Sequence, residues 1–180
     1  MYIMPGYSMM AATATTFMLS IIFLILSKQS KKQYMRFWGI SWLVYSAMFL
    51  LDFYHLNWNF IYLGYVMLRQ MLALLGAYAF LLGTHHFFQT KYPASLGFAA
   101  ILSTISMSFY PAFKMVYTLM FIPNIIFSSG LLIYAGCMFI AISWTQKLPE
   151  KLIASFLIIL WSIFINHFAF SLKNQQLEIG

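Results

Sequence analysis

Acidic side chains are almost missing from this chain: Asp52, Glu150 and Glu178 are the only three in 180 residues. Charged residues of both signs reach 7%, where a soluble domain carries about a quarter. A surface that poor in charge cannot face water, so lipid becomes the solvent for most of the molecule. Cysteine occurs once, as Cys137 inside an apolar block, which rules out an intramolecular disulfide and any CxxC metal or redox site. Paired carboxylates, a nucleophile elbow, a Gly-rich phosphate loop and HExxH are absent as well, so the chain is read as a non-enzyme.

What is there is apolar. The hydrophobic 63% falls into blocks of roughly 20 residues, the length that crosses a bilayer, separated by short polar turns. The first block runs from about Ser8 to Leu26. It lacks a basic leader and a small-residue cleavage site, and is read as a true span, not a removed signal peptide. Block two covers about Tyr34 to Phe53, with a polar turn from His55 to Asn59, and block three about Phe60 to Phe87. Block four covers about Ala94 to Phe109. Block five starts near Val116, with Pro123 either kinking it or marking its true start, and ends near Trp144. Block six covers about Leu152 to Leu172. The expected fold class is therefore all-α, a polytopic membrane bundle with six sequential antiparallel spans.

The net charge of +7 does not point to nucleic acid, because the basic residues sit in the turns. With the N-terminus outside, the inner turns hold Lys28, Lys31, Lys32, Arg36, Lys91, Lys147 and Lys151, and the outer segments only Lys114 and Lys173. That bias sets the expected orientation as N-terminus out.

Arg69 stands inside block three, about ten residues or 15 Å of helix from the outer turn. An arginine at that depth faces protein or water, not lipid. Helical spacing puts Tyr62 and Tyr65 on its face. Asp52, Asn166 and His167 are expected in the same outer half, and Asn124 with them if block five starts near Val116. Tyr45 belongs to a stripe of Trp38, Trp42, Tyr45, Phe49 and Asp52, spaced as one helical face. These residues, Arg69, Tyr62, Tyr65, Asp52, Tyr45, Asn124, Asn166 and His167, form the candidate ligand-binding set. Arg69 has two readings: an anchor for an anionic or carbonyl-bearing ligand, or a structural group satisfied by carbonyls and tyrosine hydroxyls. The stripe reads first as packing and interfacial anchoring, and second as an aromatic wall leading to an acidic tip, suited to a flat or amphipathic ligand. With the hairpin centred on Leu56, Asp52 falls roughly 13 Å shallower than Arg69, so the two are not expected to pair directly.

No metal or other cofactor is expected. His85 and His86 are adjacent and point about 100° apart on a helix, so they cannot comfortably share an ion, and they are placed in a partly solvated inner boundary. His55 and His167 could reach similar depth, but no Cys/His spacing motif accompanies them. Gly76 and Gly83 on block three, Ser129, Gly130, Ala135 and Gly136 on block five, and Ala11, Ala12 and Ala14 on block one offer small-residue seams for close helix contact.

Three patterns together resemble a known class. They are the basic turn and aromatic helix from Lys31 to Leu43, Leu68-Arg69-Gln70-Met71-Leu72 followed by Tyr78-Ala79-Phe80-Leu81-Leu82-Gly83-Thr84, and Trp161-Ser162-Ile163-Phe164-Ile165-Asn166-His167-Phe168. The chain is similar to the multi-helix membrane-embedded input domains that precede histidine kinase, PAS or diguanylate cyclase modules in bacterial signalling proteins. The resemblance implies about seven helices with the arginine in the third, a place in the bacterial inner membrane, and a cytoplasmic output module. Six spans from an outside N-terminus end outside, so a seventh helix beyond Gly180 is expected. The implied partners are the bilayer and a small apolar or amphipathic cue, with a homodimer as a further option. A small six-helix transporter or substrate-capture subunit is the alternative, although no inverted repeat supports it.

Overall fold

Backbone N–H and C=O groups inside lipid find no water, so an apolar run must satisfy them within itself and becomes helix. The computed structural model describes residues 4–58, 62–92, 118–146 and 150–163, with 95, 97–99, 101, 102 and 105 besides. The side chains of 4–6, 55–58, 62, 63, 66, 118–125, 145 and 146 lie outside that description. Its helices are α1 (Met4–Ser30), α2 (Gln33–Trp58) and α3 (Tyr62–Phe88), then α4, described at 95, 97–99, 101, 102 and 105, α5 (Thr118–Gln146) and α6, described over 150–163. Four of them contain segments long and apolar enough to cross a membrane: Tyr7–Ser30, Gln33–Tyr54, Met67–Phe88 and Ile126–Trp144. By length and composition the chain is an all-helical membrane protein.

One boundary differs from expectation, and at Pro123 one of the two options holds. The stretch from His55 to Trp58, read as a polar turn, continues α2. Its aromatic and polar side chains suit a membrane interface, where helix persists until the backbone reaches water. Pro123 lies within α5, whose first residue is Thr118. Its missing N–H leaves the Leu119 carbonyl without the usual helical donor, a small loss this close to the helix start. The ends of α1 and α3 are instead set by left-handed residues, Lys31 at φ 56° and Gln89 at φ 53°. After α3 the Thr90 N–H returns to the His85 carbonyl at 3.0 Å, tying off the last turn.

The core follows the helical period. Tyr45, Met48 and Phe49 of α2 meet Ala73, Ala77 and Leu81 of α3, and Leu131, Leu132, Ala135 and Phe139 of α5 close over them. Hydroxyls join the helices across this core: Ser41 donates to the Gly76 carbonyl at 2.8 Å, Ser46 to Thr13 at 3.2 Å and Ser155 to Gly136 at 2.9 Å. In lipid, such bonds and close packing hold helices together, because burial of apolar area supplies little drive.

The small-residue seams are used unevenly. Gly76 lies against the Tyr45 ring, Gly83 against the Trp38 indole, and Gly136 faces Ile159 of α6. Gly130, by contrast, has nothing among the described residues within 4 Å of where a Cβ would stand. His85 is buried at 3% exposure, not partly solvated as expected, since its Nδ1 shares a 2.7 Å hydrogen bond with Thr90 Oγ1 just beyond α3. His86 is the exposed member of the pair and stacks on Phe37 at 5.1 Å.

Candidate functional site

Among the described residues two features of the bundle interior could hold chemistry, one polar and one apolar. The polar one joins α2 to α3. Arg69 donates from Nε to Asp52 Oδ1 at 2.8 Å, and the Tyr65 hydroxyl donates to the same oxygen at 2.7 Å. Asp52 is 0% exposed, Arg69 3% and Tyr65 4%. This direct pair corrects the expectation that Asp52 lies too shallow to reach Arg69. The reason is the turn: with α2 running to Trp58 and α3 starting at Tyr62, the hairpin midpoint falls at position 60, not 56. Asp52 then faces about position 68, one residue from Arg69.

A buried charge pair is stable only when geometry and hydrogen bonding offset its desolvation. Here Asp52 Oδ1 accepts twice, while Asp52 Oδ2 and Arg69 Nη2 have no hydrogen-bond partner among the described residues. Below this cluster, Tyr45 and Phe49 continue the α2 stripe into the core, and Trp161 of α6 packs edge-on against them at 5.8 and 5.9 Å. At Tyr45 and Phe49, both fully buried, the stripe is therefore packing. Of the candidate set, the structure brings Arg69, Asp52 and Tyr65 into one cluster and places Tyr45 two turns away on α2. The side chains of Tyr62 and Asn124, and the whole of Asn166 and His167, lie outside the described residues.

The apolar feature is a cleft of about 570 Å³. One wall is a face of α1: Ser8, Ala11, Ala12, Thr15, Thr16 and Leu19. Leu157, Ile158 and Trp161 of α6 form the other, and Trp42, Phe80 and Leu132 the back. The small side chains of α1 leave the space, since a helix with alanine at those positions cannot fill the gap to α6. Its size falls in the range of small-molecule sites, about 300–1,000 Å³. None of the described candidate residues lines it. Trp42 and Trp161, 5.0 Å apart and inclined at 64°, carry its aromatic surface. The sequence held one signal for this site: Ser8, Ala11, Ala12 and Thr15 share a helical face, which reads equally as a helix-packing seam.

Trp161 stands between the two features. It walls the cleft on one side and touches Tyr45 and Phe49 on the other, three residues before Asp52. Pressure on Trp161 from the cleft would therefore reach α2 beside the ion pair. No protein-family model, no curated protein and no solved structure matches this chain.

Proposed function

We propose that this chain is the membrane-embedded sensor domain of a bacterial signalling receptor, binding a small apolar or amphipathic cue between its helices. The observation that carries the reading is the cleft between α1 and α6, because one of its walls, Trp161, also packs on the α2 core. A cue can shift a helical arrangement only if it binds two arrangements with different free energy, and a cleft whose walls are separate helices offers that difference. Occupancy would move α6 against α1 and α2 and pass the change to a cytoplasmic output module. The Asp52–Arg69 pair would keep α2 and α3 moving as one body.

Spin labels at Met18 and Phe156, both exposed on the bundle surface, test this, with Cys137 replaced by serine. Adding decanol to the protein in nanodiscs should shift the inter-label distance, and the cleft-filling variant Ala12→Phe should show no shift. An unchanged distance distribution in both proteins sinks the sensor reading.

The same reading includes six spans in the inner membrane with the N-terminus outside, supported by the basic turn residues. In intact cells a cysteine at position 30 should resist an impermeant maleimide, and one at position 57 should react. The reverse pattern overturns the orientation.

A further inference from the structure

The chemistry of the cleft wall narrows the ligand class, on the reading that the cleft is a ligand site. Its described lining contains no ionisable side chain; the polar groups its residues carry are the hydroxyls of α1 and the indole N–H groups of Trp42 and Trp161. The internal cation nearest in purpose, Arg69, is spent on Asp52 and does not line the space. A ligand carrying a full charge would thus lie against this apolar wall with no counter-charge among the described lining, which desolvation opposes.

The three threonines of α1 differ in a telling way. Thr13 and Thr16 turn their hydroxyls back onto carbonyls four residues earlier, at 2.8 Å to Met9 and 2.7 Å to Ala12. Thr16 also reaches the Thr13 carbonyl at 3.1 Å. Such back-bonding is the usual fate of threonine in an apolar helix. Thr15, on the cleft wall, makes no hydrogen bond among the described residues. It offers the cleft both a donor and an acceptor.

We propose that the cleft selects neutral amphiphiles, compounds with an aliphatic body and one uncharged hydrogen-bonding group, and that Thr15 holds that group. The aliphatic body lies against Leu132, Leu157 and Ile158 and against the paired rings of Trp42 and Trp161. A hydroxyl or carbonyl then meets Thr15 on α1.

Trp42 and Trp161 make binding visible, since bromine quenches indole fluorescence at contact. Three probes are compared in nanodiscs: a terminally brominated undecanol, bromoundecane, and bromoundecane sulfonate, which keeps its charge at every pH. Ala12→Phe supplies the background from probe dissolved in lipid. The alcohol should give a saturable signal absent from Ala12→Phe, and the sulfonate should bind more weakly by at least about a hundredfold. Thr15→Val should weaken the alcohol about fivefold, the worth of one neutral hydrogen bond, and leave bromoundecane unchanged. Tighter binding of the sulfonate, lost in Arg69→Leu, overturns the neutral class while keeping a ligand site. Equal loss of alcohol and alkane in Thr15→Val overturns the role of Thr15. No saturable quenching by any probe, with Ala12→Phe indistinguishable from the parent, removes the cleft as a ligand site and with it the reading beneath this proposal.

Discussion

Arg69→Leu, with Asp52 left in place, is expected to destabilise the protein by about 3–5 kcal/mol, measured by reversible unfolding in mixed micelles. The cause is the carboxylate that remains. Asp52 is 0% exposed, and Arg69 Nε at 2.8 Å supplies its only cationic contact among the described residues. Without the guanidinium, one hydroxyl from Tyr65 must satisfy a buried charge. Replacing both members, Asp52→Leu with Arg69→Leu, removes the orphaned charge together with its partner and should recover most of the loss, because apolar pairs of similar volume tolerate such sites. Tyr65→Phe should cost less, about 1 kcal/mol, since it deletes one of two donors to Oδ1. A pure ligand anchor predicts the opposite pattern, with signalling lost and stability kept. If Arg69→Leu unfolds within about 0.5 kcal/mol of the parent, the pair is not the clamp between α2 and α3.

The second large effect belongs to Gly83. A Cβ there would stand 2.7 Å from Trp38 Nε1 and 3.1 Å from the Tyr34 carbonyl oxygen. Neither neighbour can yield. The indole is hemmed in by Phe23 at 5.8 Å, Tyr34 at 5.1 Å, Phe80 at 5.9 Å and Phe87 at 5.5 Å, and the carbonyl is helix backbone. Gly83→Ala should therefore cost about 3 kcal/mol, the upper end for an overpacked core. Gly130→Ala is the internal control: with nothing among the described residues within 4 Å, it should be neutral or stabilise by about 0.5–1 kcal/mol through helix propensity. Trp38→Leu combined with Gly83→Ala should be less damaging than the sum of the two, because the leucine vacates the space the methyl needs. Additivity would mean that the close approach of α2 and α3 at this point is not what Gly83 provides.

Much of the fold was legible in the sequence, for a reason specific to lipid. An apolar run of bilayer length has helix as its one open solution, so α1, α2, α3 and α5 follow from composition and length. Gly76, Gly83 and Gly136 were visible as contact points, since only small residues let helices approach closely. Arg69 was visible too, because a charge inside an apolar run must face protein.

Its partner was not legible. In a hairpin, moving the turn by a few residues moves the facing position by twice as many. Four extra residues of helix beyond position 54 brought Asp52 from a depth roughly 13 Å away to within 2.8 Å of Arg69. No local pattern specified that turn. The cleft lay further out of reach, because a void is a property of several helices at once. Ala11, Ala12 and Thr15 look the same in sequence whether a neighbour fills the space beside them or stands off. The tertiary structure alone decided that α6 stands off, and that Trp161 links the space it leaves to the core beside Asp52.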